Sequence, residues 1–465
     1  MNPRLCMIVV IAGAAIAACA GSGSPSVPTS DMLPATPAKK PASPIQHVVI
    51  IVQENRSFDN LFATFPGADG TTTGKVEAVP PSQQSQCPFP RPTTVPLTKS
   101  TLVEGDDFGH VYGDFLIDYD KGHVDGFNVD PIPPGGGKIA CLYPYVYVDP
   151  AQIKQYWNMA TKYVLADHLF QTQASSSFTA HQDLIAGGTR IGKLESVIDD
   201  PWSFPWGCDS PPGTVTGLIT NKLKYNKTGG PFPCYKYKTL RDSLDAKGVT
   251  WKFYTPTGSG GKPWLWNAFD AIKAVRNSPE WGKKVVSPET LILSDLQNGA
   301  LPAVSWVIPD AFNSDHPQEC CINGKDVDHG PQWVATVVNA VGRSKYWNSS
   351  AVIVLWDDWG GFYDHVPPPF FDNQGGLGFR IPMLIVSPYV LPHIEHTQYE
   401  TASIVRFIED NWGLGTLQAP DARATSITNA FHFNQAPRAF TAIPSEYSPA
   451  FFLHQQPSGL PVDTE

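Results

Sequence analysis

The sequence predicts an α/β protein built on a mostly parallel central sheet, with long Pro/Gly-rich insertions between its elements. Three observations carry this. Short β-branched apolar runs alternate with helical patterns. The runs are continuous rather than alternating, as strands covered on both faces are. Acidic residues follow directly on two of the runs, at the place where open α/β sheets hold their ligands.

The apolar runs at 45–52, 249–254, 304–308, 351–356 and 381–386 read as strands. Residues 331–342 read as a helix, with apolar positions at i, i+4 and i+8, Pro331 at the start and Gly342 at the end. Residues 401–412 repeat the logic, with Ile404, Phe407, Ile408 and Trp412 on one face and Gly413 as the stop. A shorter helix at 238–247 offers Leu240 and Leu244 and is closed by Gly248. Residues 66–150 and 190–237 lack this rhythm and are dense in Pro, Gly, Thr and aromatics, so they are expected to form a lid or a substrate wall. The Pro-rich tail from Gly415 onward is expected to wrap the surface.

The length of 465 residues allows two or three domains, but a single elaborated domain over 45–465 is preferred. Hydrophobic residues make up 42% and aromatics 11%, ample for a core. Charged residues are only 16%, against a usual figure of about 25%. The net charge of −10 gives no electrostatic footprint for nucleic acid, so no nucleic-acid partner is expected.

Residues 1–20 carry Arg4, an apolar stretch over 7–18 and small residues up to Cys19, which reads as an export signal, since the stretch is too short to span a bilayer. Ile16-Ala17-Ala18-Cys19 resembles a lipobox, which would make Cys19 a lipid anchor at the envelope; cleavage after Ala18 or Ala20, giving a periplasmic or secreted protein, is the other reading. Residues 21–44 read as a flexible tether. Beyond Cys6 and Cys19 the cysteines are Cys87, Cys141, Cys208, Cys234, Cys320 and Cys321. An even number in an exported chain suggests up to three disulfides, with Cys208 and Cys234 the first pairing and the adjacent Cys320 and Cys321 bonded to different partners.

Glu54 and Asn55 follow the first strand, and Asp357 and Asp358 follow another. Hard oxygen donors in this number suit one divalent cation, Mg²⁺, Mn²⁺, Ca²⁺ or a transition metal. The competing explanation for either cluster is a capped turn. Ser175-Ser176-Ser177-Phe178-Thr179-Ala180-His181-Gln182 offers three candidate nucleophiles, although a serine-rich turn is also an ordinary helix cap. Asp107-Phe108-Gly109-His110, Asp315-His316-Pro317 and Asp364-His365-Val366 each place a histidine beside or near an aspartate that can orient it. A structural role is favoured for His365, before Pro367; His181 and His329 are weaker candidates.

Four blocks, in order, carry a resemblance: Val48-Val49-Ile50-Ile51-Val52-Gln53-Glu54-Asn55-Arg56-Ser57-Phe58-Asp59, then Gly122-His123-Val124-Asp125-Gly126-Phe127, then Asp315-His316-Pro317, then Trp356-Asp357-Asp358-Trp359-Gly360-Gly361-Phe362-Tyr363-Asp364-His365-Val366-Pro367-Pro368. Together they resemble the bacterial phosphoesterase family of phospholipases C and acid phosphatases. The resemblance implies an alkaline-phosphatase-like three-layer sandwich and a phosphoester substrate. It implies that Glu54, Asn55, Asp357 and Asp358 hold the metal and that Ser177 is the nucleophile, with Ser175 and Ser176 one or two residues away. It further implies that His110 and His316 contact the phosphoryl group or the leaving oxygen.

Two departures refine this. Ser-Phe-Thr-Ala-His-Gln stands where phospholipases C often read Gly-Pro-Thr with Pro-Asn-Arg, which resembles the acid-phosphatase branch. Gly-His-Val-Asp-Gly-Phe puts His123 in place of a lysine, implying activity that falls as pH rises through the histidine range. The expectation is an exported metal-dependent hydrolase of phosphate monoesters acting through a phosphoserine. The alternatives are a phospholipase C, with Trp202, Phe204, Trp206, Trp264 and Trp266 as a lipid-facing rim or choline cage, and a non-catalytic envelope binding protein of the same fold.

Overall fold

The structure, a computed structural model, describes residues 40–103, 108–132, 137–220, 222–258, 266–317, 329–369 and 375–459. The runs Val-Val-Ile-Ile-Val and Ala-Val-Ile-Val-Leu-Trp form two adjacent central strands, β1 (His47–Gln53) and β6 (Ser350–Trp356), buried from Val48 and from Ser350 onward. Their β-branched side chains project on both faces, which only a sheet covered on both sides can bury. Around them lie β2 (Val164–Phe170), β3 (Trp251–Tyr254), β4 (Val285–Val286), β5 (Val304–Val307), β7 (Arg380–Val386), β8 (His393–Glu395) and β9 (Tyr399–Glu400). The nine-stranded sheet runs β4-β3-β5-β1-β6-β7-β2-β8, with β9 also pairing β2. Val48 pairs with Val304 on one side and Ala351 on the other, both in parallel. Only β7 runs against its neighbours, antiparallel to β6 and β2.

Helices cover both faces. On one, α2 (Lys154–Lys162) packs on β2 and β7, and α6 (Gly330–Gly342) packs on β6, on α2 and on α5 (Leu291–Asn298). On the other, α3 (Ser177–Ala186) packs against α4 (Leu240–Ala246) and α7 (Ala402–Trp412), and the Trp306 indole of β5 donates to the Leu184 carbonyl of α3 at 3.2 Å. A short α1 (Phe58–Phe62) follows β1. Pro331 opens α6 within its first turn, and Gly413, at φ 58°, closes α7 in the left-handed conformation that glycine adopts without strain. The result is the expected three-layer α/β sandwich.

All five strands expected from the sequence form. β2 was not anticipated, because Asp167 and His168 break the apolar run Val-Leu-Ala-Asp-His-Leu-Phe that would otherwise read as a strand. The last residues of the expected tether are not free: the Ala42 amide donates to the Asn411 carbonyl and the Ser43 hydroxyl to Asn411 Oδ1, each at 2.6 Å. Cys208 pairs with Cys234 as expected, and Cys87 pairs with Cys141. Cys320, Cys321, the signal over 1–20, Cys19, Asp107 and Trp264 lie outside the described residues. Among the described residues no helix is long and apolar enough to cross a membrane. The tail returns over α6, where Phe452 packs on Trp333 with ring centroids 5.2 Å apart.

Candidate active site

Because β1, β2, β5 and β6 run the same way, the segments that follow them emerge at one edge of the sheet. Glu54 and Asn55 leave β1, and Asp357 and Asp358 leave β6, all fully buried. Two backbone features bring the pairs together. Asn55 adopts φ 58°, a left-handed conformation that asparagine tolerates better than most residues. Gly360, also at φ 58°, lies so close that a Cβ there would stand 2.5 Å from the Asn55 carbonyl oxygen. The Asn55 amide then donates to Asp357 Oδ1 at 3.1 Å.

The three serines separate by environment. Ser175 is held by Asp199, accepting from its amide at 2.8 Å and donating to its Oδ1 at 3.1 Å. Ser176 caps α3 and its buried hydroxyl has no hydrogen-bond partner. Ser177 opens α3, and its hydroxyl donates to Asp358 Oδ2 at 3.2 Å and to Asn55 Oδ1 at 3.4 Å. It is the serine brought into the acidic pair.

His110 and His316 reach the same point from opposite sides. Nδ1 of His110 donates to the Phe108 carbonyl at 2.7 Å, and Nδ1 of His316 to the Pro317 carbonyl at 2.6 Å. With Nδ1 so occupied, each Nε2 is left to accept from Asn55 Nδ2, at 3.0 and 3.1 Å. One Asn55 amide thus spans both imidazoles while its oxygen faces Ser177. His110 Nε2 also stands 3.5 Å from Asp358 Oδ2. The loop carrying His316 is clamped by the buried Arg56, which donates to the Asp315 carbonyl at 2.9 and 2.7 Å and lies over the Phe362 ring. The Asp315 carboxyl accepts from Tyr156 and from the Trp356 indole, at 2.8 and 3.0 Å, and burial pushes it up to about 6.

A second group lies beside this one. His181 Nε2 is 3.0 Å from Glu54 Oε1 and 3.7 Å from Asp357 Oδ2. The donor atoms of Glu54, His181 and Asp357 lie within 4.8 Å of one another, and all three residues are buried. Asp357 Oδ2 has no hydrogen-bond partner. Buried carboxylates converging on an imidazole, with one oxygen unsatisfied, form a donor set that fits a divalent cation. His181 was the weaker sequence candidate, yet it lies four residues after Ser177 on the same helix, and that spacing puts both on one face. Trp266 forms the wall between His181 and His316, with ring centroids at 6.4 and 6.0 Å, and its buried indole N–H has no partner.

Other candidates fall elsewhere. His123 is largely exposed and lies 3.1 Å from Asp120. His365 Nδ1 lies 2.7 Å from Asp59 Oδ2. His329 packs against Tyr447 and Phe451 of the tail. Of the aromatics, Trp202 is 69% exposed, Phe204 is partly exposed, and Trp206 is buried against Phe178, the neighbour of Ser177.

The chain is 26% identical to phospholipase C B of Mycobacterium tuberculosis over 84% of its length and 78% of the relative's. It is 24% identical to the non-hemolytic phospholipase C of Pseudomonas aeruginosa, covering 84% of this chain and 57% of that one. It is also 24% identical to non-specific phospholipase C3 of Arabidopsis thaliana, covering 76% and 64%. Among solved structures, a protein in the alkaline phosphatase superfamily from Vibrio parahaemolyticus aligns over 84% of this chain and 74% of its own, with 12% identity and a TM-score of 0.37. The model of the phosphoesterase family matches residues 45–415. The chain belongs to the phosphoesterase family, and it is a phosphoric ester hydrolase.

Proposed function

We propose that this hydrolase transfers a phosphoryl group from an ester first to Ser177 and then to water. One observation carries the reading: a buried serine hydroxyl at the start of α3 lies 3.2 Å from Asp358 and 3.4 Å from Asn55, whose amide nitrogen meets His110 and His316. Asp358 Oδ2 accepts the serine hydroxyl's hydrogen bond and takes its proton as Oγ bonds to phosphorus. The bond from phosphorus to the ester oxygen breaks on the opposite side, and His316 or His110, acting in its imidazolium form with Nε2 turned from Asn55 to the substrate, gives that oxygen a proton from Nε2. Water then attacks the phosphoseryl ester, leaving its proton on the same imidazole, while Asp358 returns its proton to Ser177 Oγ as the bond from that oxygen to phosphorus breaks. Glu54, Asn55, Asp357 and Asp358, with His181, would hold the divalent cation. When bound, the cation supplies positive charge for the phosphoryl oxygens and makes the serine hydroxyl more acidic.

For the ester, Ser-Phe-Thr-Ala-His-Gln supports the monoester reading, whereas the three relatives compared above, each a phospholipase C, favour a phospholipid diester. Parallel assays with an aryl phosphate and an aryl phosphocholine separate the two. Turnover of neither, with metal bound, would overturn the hydrolytic reading of this site. Export, supported by the sequence of residues 1–20, is tested by locating the activity in the envelope or the medium.

A further inference from the structure

The interruption in β2 places a second acid–imidazole cluster on the flank of the sheet, made from none of the candidate active-site residues. His168 Nδ1 lies 2.8 Å from Asp167 Oδ1. His396, just after β8, brings its own Nδ1 to 3.0 and 2.9 Å from the two oxygens of the same carboxylate. The three donor atoms lie within 4.8 Å of one another. Asp167 is fully buried, while His168 and His396 are 25% and 60% exposed, so the group opens to solvent on one side.

The surroundings hold this group in place. The Asp69 amide donates to Asp167 Oδ2 at 2.9 Å, and Asp69 Oδ2 lies 3.3 Å from His168 Nε2. A carboxylate on the far ring nitrogen is how metal-bound histidines are oriented. His365 Nε2 lies 3.3 Å from the other Asp69 oxygen, and Arg380 Nη1 donates to the carbonyls of Asp69 and Asp167, each at 2.9 Å. The donors come from two separate segments, and the residues behind them from three more.

An ordinary surface ion pair needs one imidazole for one carboxylate. Here two imidazoles turn the same nitrogen, Nδ1, onto one buried carboxylate. As donors, both rings would have to carry a proton on that nitrogen and share the carboxylate with the Asp69 amide. A cation in place of the two protons satisfies all three side chains at once. We propose that Asp167, His168 and His396 bind a zinc ion. Two imidazole nitrogens and one carboxylate, with a fourth position open to water, suit tetrahedral zinc. Magnesium and calcium demand six or more oxygen ligands, which this group lacks. The ion would tie the short edge strand β8 and the turn after it to β2.

The test is calorimetric titration of zinc chloride into the full-length protein stripped with a chelator, beside His396→Ala and Asp357→Asn. His396 is mostly exposed, so its replacement spares the fold. Wild type is expected to take up one more zinc equivalent than His396→Ala, while Asp357→Asn keeps this equivalent. Asp69→Asn, which loosens His168 from behind, should weaken that equivalent about 10- to 100-fold. Cobalt should give the intense visible bands of a tetrahedral ion in Asp357→Asn and lose them when His396→Ala is added. Equal zinc uptake and affinity in wild type and His396→Ala would overturn the proposal.

Discussion

Two acid–imidazole clusters lie on one sheet, and they differ in depth and in what surrounds them. Glu54, Asp357 and His181 are buried at the carboxyl edge, beside a serine hydroxyl and two further imidazoles. Asp167, His168 and His396 lie on the flank with two members open to solvent, and Arg380 supports them through the Asp69 and Asp167 carbonyls. The first joins two carboxylates to one imidazole, and the second joins one carboxylate to two imidazoles. The first differs in lying next to Asn55 and Asp358, which take the hydrogen bonds of the Ser177 hydroxyl, and in being shielded from water, where charges act most strongly on one another.

The sharpest way to break this contrast is at the nucleophile. Ser177→Ala should lower kcat by about 10⁴-fold or more, as removal of a covalent catalyst does, and His396→Ala should leave it within about twofold. Loss of activity in Ser176→Ala with retention in Ser177→Ala would move the nucleophile by one residue. Next come the two imidazoles. His316→Ala and His110→Ala should each cost about 10²- to 10⁴-fold, and the one that protonates the leaving oxygen should be partly spared with an aryl ester, whose phenolate leaves without a proton. Equal losses on aryl and alkyl esters for both variants would remove either histidine from that role.

These predictions rest on parts that were unequally legible in the sequence. The central strands could be read because Val-Val-Ile-Ile-Val and Ala-Val-Ile-Val-Leu-Trp are buried on both faces and so carry an unbroken apolar signal. Glu54, Asn55, Asp357 and Asp358 could be read because they abut those runs. β2 escaped because Asp167 and His168, which lie within it, erase the period that marks a strand. The role of Arg56 was hidden for another reason: its partner, the Asp315 carbonyl, lies 259 residues away, and no local pattern encodes a contact of that range. His181 was within reach of the i, i+4 rule, but it needed α3 to start at Ser177 for the two side chains to share a face.

A smaller effect is expected at His181, the imidazole that completes the metal donor set. His181→Ala should weaken metal binding or activity about 10- to 100-fold, read as the chelator concentration that halves activity. An unchanged chelator dependence would make His181 a packing residue. Gly360→Ala tests the backbone that joins the two acidic pairs, since a methyl group there meets the Asn55 carbonyl and sits at positive φ. It should destabilise by about 1–2 kcal/mol from the backbone conformation alone, measured by urea denaturation, and lower activity further by displacing Asn55.

The smallest effect belongs to the flank, and it separates a supporting role from a catalytic one. Burial works against a charge on His365, but the hydrogen bond and charge of Asp59 outweigh it, so its pKa is raised above 6.5. The folded protein therefore holds this proton more tightly than the unfolded chain does. The stability this contributes is fully present below pH 6.5 and fades as pH rises through the folded value. The melting temperature of wild type should accordingly fall between pH 6 and pH 8 by more than that of His365→Gln, while the two share one pH profile of kcat. A kcat profile that moves with the substitution would place His365 among the reacting groups, and the flank would then no longer be separate from the chemistry at the sheet edge.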